Sequence, residues 1–238
     1  MKNSYLFLVA ALVAASCTGP DESVSHSYSP GQYSRLSDTT SVNANNPYDS
    51  FGELHDQVLD DFMAALVKPT DTAGILAGVE SAANANSLFL AVKDSTYQAL
   101  TESQAKAILD NAAQSLADVI ANASVGAKAK EALQTFSAGF LGLTSTPEDY
   151  GDVYDYIVAF EADVNHDSAL SANDKRVILT TTAIVRHSQF KRKRPKKNTD
   201  LDWEHNVFHL IGSIGGSSSS GASAVSRAVQ LGILENTN

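Results

Sequence analysis

The sequence predicts an all-α protein, an irregular helical bundle that follows a polar N-terminal tether. Apolar residues recur at spacings of three and four through most of residues 47–190, the period of one helix face. Several short segments read as helix starts. No stretch alternates apolar and polar residues in the manner of a half-buried strand, and no Asn-Gly dipeptide marks a hairpin.

In chain order, Phe51, Leu54, Val58, Leu59, Phe62 and Leu66 define a first helix. Lys68-Pro69 ends it, because proline disfavours helical geometry in the residue before it. Ile75, Leu76 and Val79 begin a second segment. Thr101-Glu102-Ser103-Gln104 reads as a capping box that opens a helix carrying Ala105, Ile108, Leu109, Leu116, Val119 and Ile120. Residues 128–143 continue with Leu133, Phe136 and Phe140, and Gly142 predicts the stop. Thr146-Pro147-Glu148-Asp149 combines a cap, a first-turn proline and two acids, and Val153, Tyr156, Ile157 and Phe160 follow it. Ser171-Ala172-Asn173-Asp174 opens the next helix, with Val177, Ile178, Thr181 and Ile184 inside. The abundance of alanine suits close helix packing in a bundle.

The 238 residues carry 17 Lys plus Arg against 27 Asp plus Glu, a formal net charge of −10. Such a surface repels a phosphate backbone, so nucleic acid is not a predicted partner. A hydrophobic fraction of 43% excludes a wholly disordered chain. The length fits one domain with a tail. A single cysteine excludes an internal disulfide framework and any multi-cysteine metal site.

That cysteine stands at the end of a short basic start and an apolar run over residues 4–15. The run has the length of a secretory h-region and is too short for a comfortable membrane span. Val13-Ala14-Ala15-Ser16-Cys17 resembles the lipobox of bacterial lipoproteins, with Ala14 where leucine is commoner. The resemblance implies cleavage before Cys17, acylation of Cys17 and anchoring in a lipid bilayer. Gly19 stands where an inner-membrane retention signal would place aspartate, which points to the outer membrane. The expected organisation is a signal peptide over 1–16, a lipidated flexible tether over 17–46, a helical domain over 47–190, a basic linker over 191–200 and a Gly/Ser/Ala-rich C-terminal segment over 201–238.

The strongest chemical pattern is residues 163–174. Calcium takes six to eight oxygens, and a twelve-residue loop offers them at positions 1, 3, 5, 7, 9 and 12. Here those are Asp163, Asn165, Asp167, the Ala169 carbonyl, Ser171 and Asp174, with Leu170 at the position that pins such loops to a core. The segment resembles a single EF-hand or one dockerin repeat, which implies a weakly bound Ca2+ with a bracing role. It departs from that pattern at Ser168, where glycine makes the sharp turn, and at Asp174, where EF-hands carry glutamate. Asp and Asn also favour turns without metal, and Ser171 with Asp174 makes a capping box by itself. Both readings stay open at this point.

Other signals are thinner. His205 and His209 are four apart and would share a helix face, but no third metal ligand is placed by sequence. Glu53-Leu54-His55-Asp56 sets a histidine among acids, a pattern open to acid–base catalysis or to an ordinary solvated face. Residues 191–197 hold six of the 17 basic residues, the composition of a solvated linker or a contact for anionic head groups. Residues 207–234 are rich in small residues, and the run of four serines and Arg227 argue against a membrane span. A loosely held tail is expected there.

The opening Asn46-Pro47-Tyr48-Asp49-Ser50-Phe51-Gly52-Glu53-Leu54-His55 and the helix from Asp174 to Ser188 resemble small, poorly characterised lipoproteins of Bacteroidota-type bacteria. That likeness spans residues 47–234, implies a cell-envelope location and carries no catalytic residues with it. The expected function is a membrane-anchored binding module with an unidentified envelope protein or ligand as partner. The alternatives are an envelope hydrolase using His55, and a membrane-active or immunity-type protein acting through the C-terminal segment.

Overall fold

The computed structural model describes residues 40–145, 150–192 and 203–237. Among them the chain forms ten helices and no strand: α1 Ser50–Met63, α2 Thr72–Ala85, α3 Ser87–Val92, α4 Glu102–Asp110, α5 Ala112–Asn122, α6 Ala127–Thr144, α7 Tyr150–His166, α8 Ala172–Arg192, α9 Trp203–Ser217 and α10 Gly221–Glu235. The expected all-α bundle is what is observed. Cys17, the signal segment and most of the tether, the Thr146–Asp149 helix start and residues 193–202 lie outside the described residues. No described helix is long and apolar enough to cross a membrane.

Local chemistry sets the helix boundaries. The Thr101 hydroxyl accepts from Gln104 N while the Gln104 side chain accepts from Thr101 N, the predicted capping box. The single helix expected after it is two, because Asn111 leaves helical geometry at φ −154° and its side chain accepts from Gln114 N to start α5. Asp71 caps α2 through Gly74 N, and Asn86 both ends α2 and caps α3 through Leu88 N and Phe89 N.

The C-terminal segment corrects an expectation. It is the centre of the fold, not a loose tail. Helices α9 and α10 form an antiparallel hairpin, with α1 and α2 against α10 and α5, α6 and α8 against α9. The hairpin is close enough to bring backbone against backbone. A Cβ on Gly212 would sit 2.7 Å from the Ala228 backbone, and one on Gly216 would press closer still on Ala224. Glycine pairs four apart thus oppose alanines four apart across the seam. Serines of this segment find partners within the chain. Ser213 Oγ donates to the His209 carbonyl at 2.6 Å, and Ser220 Oγ caps α10 by accepting from Ser223 N. The serine run itself is the turn, closed by Ser219 N and Ser220 N donating to the Gly216 carbonyl.

Helix α8 lies beside this hairpin and is buried on every side from Val177 to Gln189. Phe136, Phe140, Ile157, Ile178, Leu210 and Ile211 fill the larger core cluster. Leu54, Val58, Phe89, Ile184, Val225 and Val229 fill the smaller one, under α1 and α3.

A methyl group at the seam has no room, whereas Gly142 on α6 has nothing within 4 Å of where its Cβ would stand. Gly216→Ala is therefore expected to lower the unfolding free energy by about 2 kcal/mol. Gly142→Ala is expected to raise it by about 0.5 kcal/mol, the ordinary helix preference for alanine. Denaturant titration of the two variants side by side checks both signs.

Candidate functional site

The segment expected to be free tether up to residue 46 is docked from Thr40 onward. Ser41, Asn43 and Asn46 are buried, and what buries them is a set of charges. Tyr150 Oη donates to the Thr40 carbonyl, Tyr154 Oη to the Val42 carbonyl and Asn165 Nδ2 to the Asn45 carbonyl. This stretch lies along α7 and α8.

Glu161 on α7 and Arg186 on α8 have no exposed side-chain surface and pair at 3.1 Å. The Glu161 carboxylate accepts from Asn43 Nδ2 at 2.6 Å, Asn46 Nδ2 at 2.8 Å and Thr182 Oγ1 at 2.8 Å. The Arg186 guanidinium donates to Asp49 Oδ1 at 2.7 Å and to the Ser41 carbonyl. Asp49 precedes α1 in the N-cap position but makes no side-chain cap, because its carboxylate is turned to Arg186.

His187 continues the network. Its Nδ1 lies 3.3 Å from Asp56 Oδ2 and 3.2 Å from Ser41 Oγ, and its Nε2 lies 3.6 Å from Asp49 Oδ1. Asp56 bridges two imidazoles, since its other oxygen is 3.3 Å from His55 Nδ1. His55 then meets His209 of α9 edge-on, with ring centroids 5.4 Å apart. Lys191 closes the far end, donating to the Asp56 carbonyl and pairing with Asp60 at 2.6 Å. Gly52 allows α1 to lie this close, because a Cβ there would collide with the His187 ring and the Ala183 carbonyl.

These contacts move the titrations. Burial pushes Asp49 and Asp56 up, but hydrogen bonds from His187, from Arg186 on Asp49 and from His55 on Asp56 outweigh it, so both carboxyls lie below the usual range. Burial pushes His187 down, but Asp49 and Asp56 outweigh it and its imidazole lies above the ordinary value.

The calcium pattern is distributed rather than gathered. Asp163 and Asn165 lie inside α7, which runs on to His166. Asn165 Nδ2 is given to the Asn45 carbonyl. Asp167 pairs with Lys128 at 2.5 Å and accepts from Ala169 N. Asp174 accepts from Gly126 N at 2.8 Å, from Ser171 N at 3.0 Å and from Ser171 Oγ at 2.8 Å, while the Ser171 hydroxyl accepts from Asp174 N. No group of three His, Cys, Asp or Glu side chains converges among the described residues. The arrangement is a capped turn that also ties α8 to the start of α6.

His55 and Glu53 do not come together as an acid–base pair. His55 is fully buried, while Glu53 faces solvent on the opposite side of α1. That exposed side borders an open groove between α1 and α3. Its apolar lining is Phe51, Leu54, Leu88, Ala91 and Val92, and Ser50, Glu53 and Gln57 form its α1 edge. Leu88, Leu90 and Val92 on α3 are 55%, 52% and 39% exposed. Leu66 and Val67 protrude from the turn after α1.

Sequence reasoning pointed to His55 but missed Arg186, His187, Glu161, Asn43 and Asn46. The available signal was an Arg-His pair directly after Ile184-Val185. The chain matches no protein family, no curated protein and no solved structure.

The lowered carboxyls contribute stability above their ordinary pKa, about 3.9, that is lost as pH falls through their folded values. The raised imidazole contributes stability below about 6.5 that is lost as pH rises through its folded value. The unfolding free energy is thus expected to peak between those limits, and His187→Gln to remove the alkaline decline along with about 3 kcal/mol of the peak. Urea titrations across pH check it. For the turn, Asp174→Ala is expected to lower the unfolding free energy by about 1 kcal/mol. Millimolar Ca2+ is expected to leave the native Tm unchanged, and differential scanning calorimetry reads both.

Proposed function

We propose that this protein is a lipid-anchored component of the bacterial cell envelope that works as a binding module, with the α1–α3 groove as its contact surface. The observation that carries the reading is the exposed apolar face of α3 beside that groove. Exposed aliphatic surface forgoes about 25 cal/mol per Å2 that burial would supply, and a contiguous apolar patch marks an interaction site more often than a scattered one does. The charged network supports the same reading from the other side. It fastens residues 40–49 to α7 and α8, so an anchor at Cys17 would hold a rigid body and not a loose string of helices. The closed position of His55 supports binding over hydrolysis, because a substrate has no surface of that ring to reach.

The anchor is tested by Cys17→Ala in the native host or a bacterial surrogate. Metabolic labelling with an alkynyl fatty acid is expected to mark the native protein and not the variant. The variant is expected to move from the membrane pellet to the soluble fraction. Equal labelling of the two would reject acylation at Cys17.

A further inference from the structure

The groove has a chemical asymmetry that narrows what fits it. Its lining is aliphatic and aromatic, from Phe51, Leu54, Leu88 and Val92. Its α1 edge is acidic. Glu53 stands on the lip, and Asp61 stands two turns further along α1, where Asn86 Nδ2 reaches it at the head of α3. No ion pair among the described residues includes Glu53 or Asp61. The neighbouring acids Asp56 and Asp60 are taken by His55, His187 and Lys191. Lys93, just after α3, is drawn off over the Tyr97 ring at 4.3 Å and donates to Asn84. The chain as a whole adds a net charge of −10.

From this we infer that the groove receives a cationic amphipathic helix, one whose apolar side chains enter between α1 and α3 while its lysines or arginines meet Glu53 and Asp61. Helix-in-groove recognition needs an apolar slot for anchors three and four residues apart, with charge at the rim to fix orientation. Carboxylates left without cations at the rim of an apolar slot supply the second requirement. An anionic bilayer surface is the wrong occupant, because the same carboxylates would be pressed against negative head groups. This inference rests on the groove being the binding surface.

The test uses the full chain in phosphatidylcholine nanodiscs, with empty discs as blank. The probes are two fluorescent amphipathic peptides of about five helical turns, one of leucine and lysine and one of leucine and glutamate. The leucine–lysine peptide is expected to bind saturably, with the leucine–glutamate peptide at least about tenfold weaker. Leu88→Ser/Val92→Ser, at exposed positions that leave the core intact, is expected to weaken the leucine–lysine peptide by about tenfold. Glu53→Lys/Asp61→Lys is expected to invert the preference between the peptides. Circular dichroism confirms that the variants keep the native helix content. Preferential binding of the leucine–glutamate peptide, lost in the serine variant, would overturn the charge class and leave the groove as a binding surface. Peptide binding indifferent to the serine variant, or binding seen only in discs containing anionic lipid, would overturn both.

Discussion

Arg186 and Glu161 lie side by side with no exposed side-chain surface, and the arrangement around them follows from the cost of burying them. Taking an ion out of water costs several kcal/mol, and the attraction between two ions repays it only when their remaining hydrogen-bonding positions are filled. Glu161 gets its fillers from Asn43, Asn46 and Thr182, and Arg186 gets Asp49 and the Ser41 carbonyl. Three of those four side-chain partners, and the carbonyl as well, come from residues 41–49. The chain ahead of α1 cannot leave without exposing two uncompensated charges to a low-dielectric interior. A stretch whose one core-packed apolar side chain is Tyr48 is thus held mainly by electrostatics and amide hydrogen bonds.

The same segment determines how α1 lies. Asp49 is diverted from capping its own helix to pairing with Arg186, and Asp56 one to two turns later holds His55 and His187 together. Gly52 lies between them, and its missing side chain lets α1 settle onto the His187 ring. The orientation of α1 then fixes which of its faces is left for α3. A change at His187 would reach the groove through the tilt of one helix, since Leu54 lines the groove and His55, its neighbour, is inside the network.

Most of the outer helices could be read from the sequence, because each has one buried face and so shows the three-and-four spacing. The centre could not. A helix buried on all sides has no apolar stripe, and α9 and α10 are further disguised by glycine and serine, which score as breakers in isolation. Gly212 and Gly216 are there because two backbones touch, and that is a fact about the opposite helix. Asn111 interrupts a run that reads as one helix, and its capping role shows only once the turn is seen. At the site, His55 stood out because acids adjoin it in sequence, and the structure turns it inward. Glu161 and Asn43 left no local mark, and the partners named above for them and for Arg186 lie between 21 and 145 residues away. The 163–174 pattern is a different case. Its oxygens are spaced as a cation would want, yet Asp163 and Asn165 fall within a helix and Asp174 is occupied by three donors.

The distribution of charge then separates the acids of α1 that pair with described cations from those that do not. Asp56 and Asp60 are consumed by histidine and lysine, whereas no ion pair among the described residues includes Glu53 or Asp61. A protein with 27 acids and 17 bases will leave some acids unpaired wherever it is folded, so an unpaired acid alone says little. What distinguishes these two is that Glu53 lines a slot walled by Phe51, Leu88 and Val92, while Asp61 meets Asn86 at the head of α3. In water, side by side, an aliphatic wall and an uncompensated carboxylate each leave interaction energy unrealised, and they are completed together by a single kind of surface. An uncharged apolar partner would bury the wall and strip water from the carboxylates with nothing in return. A purely cationic one would meet a wall it cannot wet. Only a partner with an apolar stripe bordered by positive charge satisfies both, and α3, a six-residue helix held mainly by Phe89 and the Asn86 cap, is a light enough element to adjust its side chains to it.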